Sequence, residues 1–292
     1  MKVLIVPSAL EEVDAAARYL ASRLVISGID ALVHDSHGPD QLTVSADELA
    51  LVVCMGGDGT FLRAAHLIDF APVPMLALNY GTLAFLAGNP DRDDVELITS
   101  ALSGDMLFEH RSIADIEITQ ADGRIIRNKA LNEVAYTRGR SGRVVEYRYG
   151  INGITIARLK ADGLVVATPT GSTGYALSAG GPIVSPAYTG LVVVPVAPHA
   201  LNTRAIVLAP SDVLEVIMDT TRSRDASIFV DGTMLDVDEP VSIEVRRGDH
   251  DLLLARGGDA FFRNVSRVFF GGPYPDMPDR TGPCLTSSTY PT

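Results

Sequence analysis

Through the first third of the chain, short apolar runs alternate with stretches whose apolar positions recur at helical spacing. Val3 to Val6 reads as a buried strand. Glu11 to Ser27 carries Val13, Ala16, Ala17, Leu20, Leu24 and Val25 along one helical stripe, and Gly28 ends it. Ile29 to His34, Leu49 to Met55 and Val73 to Leu78 are further strands, and Phe61 to Ile68 is helix-compatible. Asp91 to Leu102 is an amphipathic helix with Gly104 beyond it. Strands alternating with helices predict parallel pairing, right-handed crossovers and helices on both faces of the sheet. Ligands of such sheets gather at the carboxyl ends of the strands. Gly56 and Asn79-Tyr80-Gly81 both follow strands, and so are expected to face one crevice.

From about Phe108 the pattern changes to short alternating strands separated by turn signals. Ile113 to Thr119, an extended run from Arg124 to Tyr136, and Leu164–Ala167, Leu191–Val196, Ile206–Leu208, Val213–Met218 and Ala226–Val230 are strand candidates. So are Val241–Arg246 and Asp251–Leu254, read as separate strands. Gly150-Ile151-Asn152-Gly153 predicts a hairpin turn between Val144–Tyr149 and Ile154–Leu159. This spacing suggests a β-sandwich-like second domain. Residues 271–292 are rich in Gly, Pro, Ser and Thr and read as a mobile tail.

The chemistry concentrates where strands end. The Leu49–Met55 run breaks at Gly56-Gly57-Asp58-Gly59-Thr60, and a helix follows at once. A Gly-rich turn at a helix N-terminus points unpaired amides and a partial positive charge at its guest, so a phosphate fits there. Asp58 puts an anion beside that phosphate. This makes sense if a metal bridges them or if the carboxylate acts as a base on a nearby hydroxyl; read alone, it fits a helix-capping Asp equally well. Asn132-Glu133 is a polar pair at the end of an apolar stretch. Asp162-Gly163 precedes Thr168-Pro169-Thr170-Gly171-Ser172-Thr173-Gly174-Tyr175, whose clustered hydroxyls and glycines suit the many oxygens of a dinucleotide. Gly180-Gly181-Pro182-Ile183 closes the series. Asp231-Gly232 reads as a turn between strands, and His199 as structural.

GGDGT, Asn-Glu and the Asp162–Ile183 series, in this order, resemble the signature motifs of the NAD kinase family. The resemblance runs from about Lys2 to about Phe270. It implies a Rossmann-like α/β domain (residues 1–107), a β-sandwich-like NAD-binding domain (108–256), a return segment (257–270) packing on the first domain, and an active site in the cleft between the two domains. The implied reaction transfers a phosphoryl group from ATP, or from polyphosphate, to the 2′-hydroxyl of the adenosine ribose of NAD, giving NADP. In that reading Gly56, Gly57, Gly59 and Thr60 hold the donor phosphates, with Arg63 either offering charge or standing solvated. Asp58 takes the proton of the attacking hydroxyl, and Mg²⁺ or Mn²⁺ screens the charge, with no protein metal ligand identified. Phe85 would line the adenine pocket, and Asn132, Glu133, Asp162, Thr170, Thr173, Gly174 and Tyr175 would hold the dinucleotide. Two positions depart from the family pattern: Ala84 replaces a glycine, and Gly174 replaces a common alanine. GGDGT also occurs in lipid kinases, which have no use for Asn132-Glu133 or the Thr170–Tyr175 cluster. A non-catalytic dinucleotide-binding regulator would not need Asp58. The family further implies a homo-oligomer, a dimer or tetramer.

Composition sets bounds around this reading. A net charge of −12 argues against a nucleic-acid partner, since phosphate backbones select basic faces. Only Cys54 and Cys284 are present, which is no disulfide framework and fits a reducing cytoplasm. The N-terminal apolar run is too short for a signal peptide, and no run approaches the ~20 residues of a membrane span, so no membrane role is expected. Walker A, HExxH, paired CxxC and GxSxG patterns are absent.

Overall fold

The strands β1 (Lys2–Pro7), β2 (Ala31–Val33), β3 (Leu49–Gly56) and β4 (Met75–Asn79) pair in parallel in the order β2-β1-β3-β4. The structure, a computed structural model, describes residues 2–38, 41–81, 85–86, 92–220, 226–256 and 260–272. Strand alternation sends successive residues to opposite faces. Val3, Ile5, Val53 and Met55 pack under α1 (Glu11–Ile26) and α3 (Asp94–Ser103), meeting Val13, Leu20, Leu24 and Ile98. Leu4, Val6, Val52 and Cys54 pack under α2 (Asp58–Leu67), meeting Phe61, Ala64 and Ala65. Helices therefore cover both faces, as the sequence predicts. α3 is capped by the Asp93 carboxylate, which accepts from Val95 and Glu96 amides, and ends on Gly104 at φ 81°. The helix predicted from Asp91 thus begins at Asp94, and residue 91 itself lies outside the described residues.

The remaining strands are β5 (Leu107–Gln120), β6 (Ile125–Ala130), β7 (Glu133–Thr137), β8 (Val145–Ile151), β9 (Ile154–Ala161), β10 (Gly163–Ala167), β11 (Leu191–Val196), β12 (Ile206–Leu208), β13 (Leu214–Met218), β14 (Ser227–Val230), β15 (Thr233–Met234) and β16 (Pro240–Arg256). A four-residue helix, α4 (Tyr175–Ser178), follows a 3-10 turn at Gly171–Thr173. Strands β12-β11-β10-β7-β14-β15 form a second sheet. It sandwiches a core against β5, β6, β8, β13 and β16, with Ile116, Ala130 and Val245 meeting Tyr136, Val166 and Val193. The β8–β9 turn sits at Asn152 and Gly153, with φ of 52° and 76°, the conformation a two-residue hairpin demands.

Two strand expectations need correction. Val241–Arg246 and Asp251–Leu254 belong to one strand, β16, whose irregularity between Arg247 and Asp251 is absorbed as a bulge while pairing with β5 continues on both sides. The far end of β16 pairs in parallel with β4, so the large sheet runs unbroken from β2 to β9. The run Arg124 to Tyr136 is two strands in different sheets, broken at Leu131-Asn132. A last helix, α5 (Ala260–Phe269), belongs to a separate compact unit, in which the Phe261 and Phe262 rings meet edge-on at 5.1 Å. The expected tail from 273 onward, the Thr82–Ala84 stretch and residues 257–259 of the return segment lie outside the described residues.

Candidate active site

The glycine turn after β3 is built on a contact four residues long. A Cβ at Gly56 would fall 2.3 Å from Thr60 Oγ1, so Thr60 closes over the bare Gly56 backbone and only glycine fits. Gly57 and Gly59 have nothing within 4 Å of a Cβ position, so the fold does not itself demand glycine there. Their open face lies at the N-terminus of the ten-residue helix α2, where amides await an anion. The end of β4 stands beside it: Gly56 pairs with Asn79, Tyr80 donates its amide to the Gly56 carbonyl at 3.4 Å, and Gly81 lies against Gly57. The two strand ends do share one crevice.

Asp58 is the first residue of α2, and its side chain makes no cap bond to the helix. Its carboxylate instead accepts from the Phe85 amide at 3.0 Å and the Leu86 amide at 3.1 Å, holding these two residues against the start of α2. Two amides leave lone pairs free on a carboxylate with about four acceptor sites. Arg63 is neither solvated nor held over the turn: its guanidinium donates to the Pro7 carbonyl at 2.5 Å and the Ser36 carbonyl at 3.5 Å, beneath the strand ends. No group of three or more His, Cys, Asp or Glu side chains converges among the described residues.

At the acceptor end the chain crosses from β6 to β7, and Asn132-Glu133 sits at the crossing. Asp231 organises it. The Asp231 carboxylate, with its side chain 1% exposed, accepts from the amides of Leu131 at 2.8 Å, Asn132 at 2.7 Å and Glu133 at 3.1 Å. The Thr168-to-Tyr175 loop closes the other side. Thr168 donates its amide to the Asn132 carbonyl, and a Cβ at Gly171 would fall 2.1 Å from that same oxygen. Ser172 is wholly buried and bonds to the Pro169 carbonyl and the Val184 amide, so this hydroxyl holds the loop together. Thr173 Oγ1 turns back to the Thr170 carbonyl, and buried Thr170 accepts from the Arg111 guanidinium at 3.5 Å. At Gly174 the methyl of an alanine would lie 3.1 Å from Glu133 Oε2, a tight contact that glycine relieves.

Glu133, Asp162 and Tyr175 come together on a cavity of about 550 Å³, along with Arg138, Phe229 and Gly232. Glu133 is 8% exposed, and its Oε2 has no hydrogen-bond partner among the described residues. Burial, and then the nearby Asp231 charge, push its carboxyl up to about 7, while the Tyr175 amide pulls the other way. A buried carboxylate perturbed by desolvation and lining a cleft makes Glu133 a candidate functional residue. Arg138 pairs with Asp162 at 3.1 Å and supplies positive charge to the cavity lining.

Three residues escaped the sequence reading. Asp231 is in the expected turn, with φ of 48°, but its side chain does far more than turn the chain. Arg138 gave no signal, being one charge in a loop-like stretch. His66 gave none either, yet its Nε2 reaches Asp231 Oδ2 at 2.9 Å.

Comparison with known proteins follows the same division of the chain. Residues 29–105 match the family model described as the ATP-NAD kinase N-terminal domain, and residues 131–257 match that described as the ATP-NAD kinase C-terminal domain. A NAD kinase of Porphyromonas gingivalis is 40% identical over 210 residues, 72% of each chain. A NAD kinase of Nitrosospira multiformis is 34% identical over 271 residues, 91% of this chain and 92% of that one. Among solved structures, yeast NADH kinase complexed with NADH superposes with a TM-score of 0.81 at 21% identity, covering 98% of this chain and 90% of that one. A NAD kinase from Archaeoglobus fulgidus in complex with ATP gives 0.73 at 23% identity, covering 93% and 98%. At those identities the likeness is one of fold, an N-terminal α/β domain followed by a sheet-rich one.

Proposed function

The chain belongs to the NAD kinase family, a family of phosphotransferases with an alcohol acceptor, and from that premise we propose how its own residues share the reaction. NAD and ATP are the small-molecule substrates of this reading, and the 2′-hydroxyl of the adenosine ribose is the acceptor. The donor's phosphates lie over Gly57 and Gly59, held by turn amides and Thr60. Mg²⁺ or Mn²⁺ enters with the donor as part of that substrate. Arg63 contributes positive potential from below the strand ends without touching the phosphates. Phosphoryl transfer asks the protein mainly for placement and charge neutralisation.

Asp58 uses a lone pair left free by the Phe85 and Leu86 amides to accept the proton of the 2′-hydroxyl. The 2′-oxygen forms its bond to the γ-phosphorus as the bond to the β,γ-bridging oxygen breaks, and ADP departs. Asn132 and ionised Glu133 receive ribose hydroxyls, Asp162 and Tyr175 line the dinucleotide's cavity, and Thr170, Thr173 and Gly174 shape its wall. Phe85, held against the start of α2 by Asp58, lines the adenine side.

The observation that carries this reading is the pair of fold-dispensable glycines, Gly57 and Gly59, on a helix whose far half touches the aspartate that holds Asn132-Glu133. The experiment is NADP formation from NAD, ATP and Mg²⁺, read by an NADP-specific dehydrogenase, with polyphosphate as a second donor. Metal-dependent product supports the reading. No product with either donor, NAD binding intact, overturns it in favour of a regulator. No helix among the described residues is long and apolar enough to cross a membrane. A cytoplasmic homo-oligomer completes the proposal, supported by the family resemblance and by Cys54, which is buried with its thiol held well above the ordinary range by burial. Sedimentation would give the subunit count.

A further inference from the structure

We infer that His66 is a positioning residue: through Asp231 it locks the donor helix α2 to the backbone that presents Asn132 and Glu133. Asp231 sits at φ 48°, a conformation uncommon for a residue with a side chain, and its amide bonds to the Glu133 carbonyl at 3.0 Å. Three amides from residues 131–133 already orient its carboxylate. They leave the carboxylate free to turn about the 131–133 backbone unless a fourth partner fixes it.

What the fourth bond adds is direction. His66 is on α2, two turns beyond the glycine turn, and its Nε2 donates to Asp231 Oδ2 at 2.9 Å. Its ring is held edge-on against Phe70, with centroids 4.9 Å apart and planes at 78°. Phe70 is fixed in turn, because its carbonyl accepts from His250 Nε2 at 2.8 Å. The imidazole is therefore pinned on both sides, and beside the Lys129–Asp69 contact it is the polar link between the two segments. One segment ends in Gly57 and Asp58, the other in Asn132 and Glu133. Displacing one from the other by a fraction of an ångström to an ångström costs rate steeply, on the order of a hundredfold per ångström.

The kinetic arm rests on the NAD kinase reading above; the exchange arm does not. His66→Leu keeps volume and helix propensity but deletes the donor, whereas His66→Gln restores a donor on a side chain of similar reach. We expect His66→Leu to lower kcat by about ten- to a hundredfold. The KM values for NAD and ATP should stay within about threefold, and His66→Gln should recover most of the rate. Hydrogen exchange of the peptide spanning Leu131–Glu133, measured on ligand-free protein, should speed up in His66→Leu and return toward wild type in His66→Gln, with β1 unchanged. A merely structural role would lower melting temperature and active fraction without this split or this rescue. The inference falls if exchange at 131–133 is the same in all three proteins, or if the leucine and glutamine variants lose rate equally. A wild type that makes no NADP would remove the kinase reading alone, and the exchange comparison would still decide the tether.

Discussion

Replacing Glu133 by glutamine should make the empty protein more stable above neutral pH while weakening its hold on NAD. Glu133 is buried beside the Asp231 carboxylate, and these two effects raise its carboxyl from the ordinary value of 4.5 to about 7. In the unfolded chain the proton leaves near the ordinary value; in the folded chain it stays until about neutrality. Between those limits the folded state binds the extra proton, so this group's contribution to stability falls as pH rises across the window. The penalty is absent below the ordinary value and complete above about pH 7. At about 1.4 kcal/mol per tenfold, it amounts to about 3 kcal/mol, or roughly 5 °C of melting temperature for a chain this long. Glutamine never charges, so it escapes the penalty. Its buried N–H group finds no assured acceptor, which costs about 1–3 kcal/mol, but that cost does not vary with pH.

The assay is therefore a difference of differences: urea and thermal unfolding of both proteins without ligand, at pH values from about 5 to 8.5. The variant should gain on the wild type steadily as pH rises, and the gain should level off above about pH 7. NAD titrated calorimetrically should bind the wild type more weakly as pH falls through about 7, because a protonated Glu133 accepts from ribose hydroxyls poorly. Affinity of the variant should be lower and flat. A stability difference that does not change with pH would refute the argument, since it would mean Glu133 is already ionised at no cost in the folded protein.

Other expectations follow from the same geometry. Asp58→Asn should lower kcat by about a hundredfold or more, the scale of a lost general base, with NAD binding retained by calorimetry. Gly57→Ala places its methyl in open space and should melt like the wild type while raising the KM for ATP. Gly171→Ala drives a methyl into the Asn132 carbonyl and should lose about 1–3 kcal/mol or more in denaturant titrations, with weaker NAD binding. Tyr175→Ala should raise the KM for NAD more than that for ATP in steady-state kinetics, as its place on the Glu133 cavity requires.

The first domain was legible because its rules are local. Alternation in β1 and β3, helical spacing in α1 and a glycine stop at residue 104 each report structure within a few residues. The glycine turn before α2 was legible for the same reason, since GGDGT between an apolar run and a helix needs only neighbours to interpret. Its internal logic was not. Four glycines and a threonine look alike in sequence, yet Gly56 is required by Thr60 and Gly171 by Asn132, while Gly57 and Gly59 answer to nothing in the protein. The β16 bulge was missed because Arg247 to His250 looks like a turn, and only pairing with β5 on both sides makes it a bend in one strand.

The break at Leu131-Asn132 shows why the candidate site around Asn132 and Glu133 needed the structure. Residues 124–136 have the composition of one long strand, and a strand would give every amide a ladder partner. Changing sheets at residue 131 leaves the amides of 131–133 without one, and a buried orphan amide costs about 1–3 kcal/mol. A single carboxylate from about a hundred residues later supplies all three bonds. The gain is a turn of backbone at Leu131-Asn132 that brings Asn132 to the start of β7, beside Glu133. The cost is a second anion beside Glu133, which adds to the effect of burial in raising that carboxyl toward neutrality. Asp231 thus bears on both the irregular backbone at Asn132 and, after burial, the raised carboxyl of Glu133, so a mutation at Asp231 should disturb the two together.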